Sequence, residues 1–325
     1  MKEISLQDRR RRLDSDHVFK AVALAAGALV LAILGLITFS MLNQAWPAFK
    51  EQGFDFITSK RWVPNDPDGA GPLHAEYGAL AFVYGTAVVS AIALALAVPV
   101  SIGIALFTTE VAPRRLRGLV VTTIDLLAAV PSVVYGLWGV AVLAPNIAPF
   151  YERVADLVEP IPVLHTLFGH GGTGRSLMTA GVILAIMITP IITSVTREIV
   201  TTVPDGEKAA ALALGATRWE MIRGAVLPHS FGGMVGAVML GLGRAMGETI
   251  AVALVIGSSP QIVGNLFKSG DAMPAVIVNL FGESSGVFRS ALIGLGVVLF
   301  AMTILVNVSA RVIVQRAEVR LRGAA

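Results

Sequence analysis

Six apolar segments dominate this sequence, and each is long enough to cross a membrane. They lie near residues 20–44, 78–109, 118–145, 176–199, 230–257 and 288–313. A hydrocarbon core about 30 Å thick takes roughly 20 helical residues to cross, and in lipid each segment must satisfy its own backbone hydrogen bonds. The sequence therefore predicts an all-α, polytopic membrane protein with six transmembrane helices. Kinks or breaks are expected at Pro99 and Pro190.

The composition agrees with a membrane protein. Hydrophobic residues make up 55% of the chain and charged residues 14%, which is too apolar for a surface covered by water. Because the chain has no cysteine, disulfides and thiolate metal sites are excluded. The net charge of +3 does not indicate a nucleic-acid partner, because its distribution along the chain follows the predicted spans.

The basic residues indicate the orientation in the membrane. If the N-terminus is inside, the inner segments carry most of the 25 Lys and Arg residues, as retained cytoplasmic loops do. We therefore expect an N-in/C-in topology. Its parts are a cytoplasmic N-terminus at 1–19, a first span at 20–44, a periplasmic loop at 45–77, a membrane domain at 78–315 and a cytoplasmic tail at 316–325.

The two longer outer loops carry local structure signals. The first contains Trp62 and the turn-rich run 64–69, which predicts an ordered hairpin or cap; a plain connector with interfacial tryptophans is the alternative. In the second, residues 151–158 predict an amphipathic helix lying on the membrane. His165 and His170 follow, but no acid lies at ligand spacing in the sequence, so a metal site is not predicted.

A charged pair lies inside the fifth predicted span. Arg244 is near its midpoint, and Glu248 follows four residues later on the same face of the predicted helix. A charge at the bilayer centre costs at least about 2.5 kcal/mol. In one interpretation Arg244 binds an anionic substrate and Glu248 holds it; in the other, the pair is a neutral lock between helices. The first is favoured, because apolar packing can replace a pure lock.

Ser132 and Tyr135 are further candidates for the substrate path. They lie in the string VPSVVYGLWG at residues 130–139, where their hydroxyls are placed to meet an anion. The alternative is that Pro131 and the two glycines only make a bent, closely packed helix.

An alanine-rich run separates the fourth and fifth spans. Residues 204–228 read PDGEKAAALALGATRWEMIRGAVLP, with Gly215 after a short helix and Leu227 and Pro228 at the end. This pattern predicts a docking element for another protein. A solvated helix face is the alternative interpretation of its charged residues.

Several strings together carry a family resemblance. They are YGALAFVYGT at 77–86, VPSVVYGLWG at 130–139, the alanine-rich run and GLGRAMGETIAV at 241–252. From about Glu76 to the C-terminus, the chain resembles the permeases of phosphate ABC importers, and specifically the C-type subunit of the Pst system. The resemblance implies the ABC-importer permease fold for residues 78–315.

The resemblance also identifies residues 203–228, the Ala-rich segment, as the EAA loop that fits a groove on a separate ATPase. It implies ATPase-coupling roles for Glu207, Lys208, Ala209, Ala210, Gly215, Arg218, Glu220, Leu227 and Pro228. The acidic position of the family falls on Ala209, so the polar contact to the ATPase stays open among Glu207, Lys208, Arg218 and Glu220.

The partners implied by the resemblance are an A-type phosphate permease subunit, two copies of an ABC ATPase and an extracytoplasmic phosphate-binding protein, within membrane lipid and without nucleic acid. The chain has no G-x-x-x-x-G-K-[ST] loop. It is therefore expected to be a non-enzymatic permease of the bacterial plasma membrane, with no cofactor of its own, since ATP and Mg are bound by the ATPase. The alternatives are transport of molybdate, tungstate or sulfate, or a secondary transporter, which the lack of an inverted repeat disfavours.

Overall fold

The computed structural model describes residues 6–63 and 75–322, and this part of the chain is mostly helical. The helices are α1 (Leu6–Gln52), α2 (Asp55–Thr58), α3 (Leu80–Leu106), α4 (Arg114–Ala129), α5 (Ser132–Trp138), α6 (Ala144–Val158), α7 (Pro162–Phe168), α8 (Leu177–Thr201), α9 (Asp205–Ala213), α10 (Arg218–Met221), α11 (Leu227–Gly247), α12 (Ile250–Val255), α13 (Met273–Leu280) and α14 (Gly286–Arg322). Wide π-helical turns at Phe107–Val111, Gly139–Leu143 and Ile222–Val226 extend or join neighbouring helices.

Six helical stretches are long and apolar enough to cross a membrane, which confirms the predicted number. They are Val18–Gln52, Leu80–Val111, Ser132–Val158, Leu177–Thr201, Arg218–Gly247 and Gly286–Val312. Pro99 and Pro190 lie inside α3 and α8, and neither ends its helix. The predicted kinks or breaks are therefore not breaks at either proline, and a kink stays a prediction.

The third span differs from its predicted bounds of 118–145. Val130, just before Pro131, is extended and ends α4, as expected because a proline disfavours helical geometry in the residue before it. The span begins at Ser132 and continues through a π turn to Val158. The helix predicted at 151–158 exists, but it is the last part of this span and not a separate surface helix.

The core lies between α3, α5, α8, α11, α12 and α13. The α3–α8 pair is tightly joined: Gly181 of α8 leaves room only for the Ile92 side chain, and the Ser101 hydroxyl donates to the Thr189 carbonyl at 3.1 Å. Helix α1 packs on α14, yet its side chains from Val18 to Ile37 are exposed. An apolar helix exposed in this way needs lipid around it.

A small hairpin follows the first span. Trp62 pairs with Tyr77 and Val63 with Glu76 in an antiparallel ladder, and the rings of Trp62 and Phe82 make an edge-to-face contact at 5.1 Å. The prediction of an ordered hairpin is confirmed for its two strands. The predicted turn at 64–69 lies outside the described residues, as do residues 1–5 of the N-terminus and 323–325 of the tail.

Candidate substrate path and coupling surface

Arg244 lies one turn before the end of α11. Arg244 is therefore near the end of the fifth span, Arg218–Gly247, and the prediction that it lies near the midpoint is wrong. Its side chain is exposed, and within the part of the chain that the structure describes it makes no hydrogen bond or ion pair. Within a membrane a guanidinium needs water, protein or an anion beside it, because the cost of leaving it in hydrocarbon is high. Arg244 is therefore free to contact a ligand or another subunit.

Glu248 does not share a helical face with Arg244, so that prediction is wrong. Helix α11 ends at Gly247, and Glu248 itself is extended with ψ of 125°. Its buried carboxylate accepts a long hydrogen bond of 3.4 Å from the Ala251 amide in the first turn of α12. A negative charge is favourable at a helix N-terminus. Glu248 is therefore engaged with α12, and no ion pair joins it to Arg244 in the described residues.

The face of α11 that carries Arg244 is open. A Cβ atom added at Gly236, Gly243 or Gly247 would meet no other atom within 4 Å. On a neighbouring side of α11, Gly233 and Gly241 pack directly on isoleucines of α8. The glycines of this helix thus serve two surfaces, one inside the protein and one that leaves space next to Arg244.

Ser132 and Tyr135 lie at the start of α5 and differ in their contacts. The buried Tyr135 donates its hydroxyl proton to the Leu127 carbonyl at 2.9 Å, across the break between α4 and α5. This bond supports the packing interpretation for Tyr135. The half-buried Ser132 makes no hydrogen bond within the described residues, so its hydroxyl is available.

The Ala-rich segment folds into two short helices joined by a glycine turn. Gly215 has φ of +89°, a geometry that favours glycine. Thr217 and Glu220 form a capping box at the start of α10, in which the Glu220 carboxylate accepts a hydrogen bond of 2.7 Å from the Thr217 amide. Leu227 and Pro228 begin α11, and Leu227 packs on the cluster formed by Val200 and its neighbours. Glu220 thus has a local structural partner.

The other acidic and basic candidates of α9 are bound within the chain. The Lys208 ammonium lies 2.6 Å from the Glu110 carboxylate at the end of the second span. Glu207 lies 3.1 Å from His229 Nδ1 in the first turn of α11. Of the four polar candidates for an ATPase contact, Arg218 is exposed and makes no such contact within the described residues.

Large apolar side chains are exposed on the Ala-rich segment. Leu214 is 90% exposed, Trp219 is 63% exposed, and Ala209 and Ala210 are exposed as well. The sequence prediction named the two alanines but missed Leu214 and Trp219. Two large apolar side chains in a segment that also carries several charged residues were the available signal, since their exposure is typical of an interaction site.

A second polar cluster lies in the loop between the third and fourth spans. His170 Nδ1 is 2.6 Å from the Glu152 carboxylate, and its Nε2 is 3.8 Å from Asp156. The hydrogen bond that His170 donates to the Glu152 carboxylate raises the pKa of His170 above its ordinary value. The acids that sequence spacing did not offer to this histidine are thus supplied by α6. In the described ranges, 6–63 and 75–322, no group of three His, Asp or Glu is arranged to hold a metal ion.

Comparison with known proteins places the chain among transport proteins. Residues 97–322 match the family of binding-protein-dependent transport system inner membrane components. The chain is 41% identical to the phosphate transport system permease protein PstC of Mesorhizobium japonicum over 96% of its own length and 93% of that protein. It is 44% identical to PstC of Xylella fastidiosa strain Temecula1, over 93% and 91% of the two chains.

Solved structures support the fold. A chain of the inward-facing methionine ABC transporter MetNI superimposes with a TM-score of 0.53 at 16% identity, covering 73% of this chain and 95% of that one. This likeness and the six spans confirm the predicted permease fold. From the family match and the near full-length relatives, the chain belongs to the family of binding-protein-dependent transport system inner membrane components.

Proposed function

We propose that this chain is the C-type permease subunit of a phosphate ABC importer. The observation that carries the proposal is its identity of 38–44% with phosphate permeases named PstC, over about 93% of the chain. As a C-type subunit it forms half of a heterodimeric pore in the bacterial plasma membrane, paired with an A-type subunit. An extracytoplasmic binding protein delivers phosphate to this pore.

The proposed topology is N-in/C-in. Residues 1–19 and 316–325 are then cytoplasmic, 20–44 belong to the first span, 45–77 are periplasmic and 78–315 form the permease domain. The excess of basic residues in the inner segments supports this orientation. It places the Ala-rich segment in the cytoplasm, where an ATPase is available.

Arg244 is the proposed phosphate-binding residue of the path. Its guanidinium is exposed and unpaired in the described part of the chain, and a planar fork of donors fits two oxygens of a phosphate. The open glycine face beside it gives room for the anion. Ser132 offers a second contact to the anion through its hydroxyl. Glu248 and Tyr135 stabilise, by their hydrogen bonds, the helix breaks that shape the path.

Energy for transport comes from two ATPase subunits, which bind ATP and Mg. Their docking surface is the apolar face of the Ala-rich segment, centred on Leu214 and Trp219 with Ala209 and Ala210 beside them. Gly215 sets the turn between the two short helices, and Leu227 and Pro228 connect the segment to the fifth span. Closure of the ATPase dimer then rocks the spans as rigid bodies between outward and inward access.

The test is uptake of labelled phosphate by the complex reconstituted into liposomes with its binding protein. We expect uptake to require ATP and the ATPase. An excess of sulfate, molybdate or tungstate should not inhibit it. Competition by one of these anions at equal concentration would assign the pore to that oxyanion. Uptake that persists without the ATPase would instead favour a secondary transporter.

A further inference from the structure

The second span ends in an ion pair that reaches the Ala-rich segment. Glu110, in the π turn at Phe107–Val111, lies 2.6 Å from Lys208 of α9, although 98 residues separate them in sequence. The Glu110 side chain is 9% exposed and that of Lys208 is 17% exposed. A contact this short and this buried is held in place and little screened by salt.

The turn that carries Glu110 is itself fixed. The Arg117 guanidinium of α4 donates to the carbonyls of Thr108 and Thr109, which lie directly before Glu110. The Thr108 hydroxyl bonds back to the carbonyl of Ile104 at 2.8 Å. Single wide turns of this kind are frequent at functional sites, because they redirect one side chain without ending the helix.

An apolar cluster lies at the same junction. Leu106, the last residue of α3, and Ala211 of α9 pack on a group of residues from α8, the turn after α8, α10 and the π turn after α10, which are Val200, Val203, Met221, Ile222 and Val226. The ion pair and the cluster together connect α9 to the second span. Through the tight α3–α8 pair they connect it to the fourth span as well.

The ion pair is the polar contact that joins α9 to the second span. The chain joins α9 to α8 at one end and to α10 at the other, Glu207 joins it to His229 of α11, and Ala211 packs on the apolar cluster. The contact to Glu110 adds a direct polar link to the second span, which the Glu207 contact does not provide. Any push on the Ala-rich segment is then transmitted to the second span.

We propose that Glu110 is a positioning residue for energy coupling, and that its ion pair with Lys208 transmits movement of the ATPase-bound segment to the second span. This inference rests on the proposed function. It also changes the role of Lys208, which holds α9 to its own permease and does not contact the ATPase.

The test compares two double variants of the assembled complex. Glu110→Met with Lys208→Met replaces the buried pair by apolar side chains. Other proteins in which a buried ion pair was replaced in this way still fold and assemble without a loss of stability. Glu110→Lys with Lys208→Glu keeps an ion pair and reverses it. For each, the phosphate transported per ATP hydrolysed is measured together with the amount of bound ATPase.

We expect the complex with the apolar pair to assemble normally and to transport at least about tenfold less phosphate per ATP. The reason is that dispersion contacts, unlike an ion pair, let α9 slide along the second span. The reversed pair should recover most of the wild-type ratio. Glu198→Gln, an exposed carboxylate near the end of α8, is the matched control and should leave the ratio unchanged.

An apolar pair that assembles and transports as much phosphate per ATP as wild type would overturn the inference, since packing alone would then suffice. A reversed pair that assembles but stays uncoupled would also count against it. Failure of the proposed function is distinguishable, because the wild-type complex would then take up no phosphate. The stimulation of ATP hydrolysis by the binding protein would still report coupling in each variant.

Discussion

The Ala-rich segment and the fifth span treat charge in opposite ways. In the segment, Lys208, Glu207 and Glu220 all bind partners within the chain, while the large apolar side chains Leu214 and Trp219 are exposed. In the span, Arg244 is exposed without a partner in the described residues. Three charges of the segment therefore hold the permease together, whereas the charge in the span remains available to a ligand.

This contrast separates two kinds of recognition. An apolar patch recognises a protein, because buried apolar area and shape dominate such contacts. An unpaired guanidinium recognises an anion, because the anion supplies strong charge-assisted hydrogen bonds that the guanidinium lacks when no anion is bound. Substitutions at the two places should therefore affect different steps of transport.

The largest effect is expected for Arg244→Gln. Removing the guanidinium deprives phosphate of its charge-assisted hydrogen bonds. We expect uptake to fall about 100-fold, which corresponds to a loss of binding free energy on the order of 3 kcal/mol. Arg244→Lys should be intermediate, because an ammonium keeps the charge without the planar fork. Initial rates of labelled phosphate uptake in proteoliposomes measure both.

Arg289→Gln is the control for this experiment. Arg289 is a second arginine near a helix end, but it lies 5.5 Å from the Phe281 ring and off the open face of α11. Its loss should leave uptake close to wild type. Normal uptake by an assembled Arg244→Gln complex would show that the unpaired charge is not on the path.

The next effect concerns the apolar surface of the Ala-rich segment. Leu214→Asp places a charge at a side chain that is 90% exposed, so the permease should fold as before. We expect the ATPase to bind 10- to 100-fold more weakly, as for loss of an apolar anchor at an interface. Binding of the purified ATPase to the permease pair in nanodiscs gives the dissociation constant.

The matched change is Phe54→Asp, at an apolar residue 89% exposed at the end of the first span. It should not alter the affinity for the ATPase. If Leu214→Asp bound the ATPase as tightly as wild type, the docking surface would have to lie on the charged residues after all, with Arg218 as the first candidate.

The sequence made Arg244 and the Ala-rich segment conspicuous for physical reasons. A charge inside an apolar run and a glycine-punctuated alanine helix are both local signals. The break after α11 also had a local signal in Gly247, since glycine is common just where a helix ends. The Lys208–Glu110 pair had none, because it joins residues far apart in the chain and depends on a wide turn that the sequence does not mark. Local signals therefore located the charges but not their partners.

A smaller effect is expected for Glu248→Gln, at the charged residue that follows the end of α11. If Glu248 serves mainly the first turn of α12, glutamine keeps an acceptor there and costs only about 1 kcal/mol of stability. Uptake should then stay within a few-fold of wild type. Thermal unfolding in detergent and uptake in liposomes measure the two quantities. A loss of uptake as large as that of Arg244→Gln would mean that the two charges act together during transport.

The smallest effect concerns a pair that is bound within the chain like Lys208–Glu110, but exposed. The hydrogen bond to Glu152 raises the pKa of His170, with Asp156 and Glu159 adding to the rise and partial burial opposing it. Because the folded pKa lies above the unfolded value of about 6.5, the stabilisation is complete below that pH and is lost as the pH rises through the folded pKa.

The amides of Gly171 and Gly172 donate to the same Glu152 carboxylate at 3.1 and 3.3 Å, so they report on the pair. We expect their hydrogen exchange, corrected for intrinsic rates, to become modestly faster as the pH rises through the folded pKa of His170 in the wild type, and to be independent of pH in His170→Gln. The effect should shrink in high salt, as exposed pairs do. The Lys208–Glu110 contact should be much less sensitive to salt, because it is buried. Equal sensitivity of the two pairs to salt would mean that burial does not distinguish them, and Glu110 would then be a weak candidate for transmitting force.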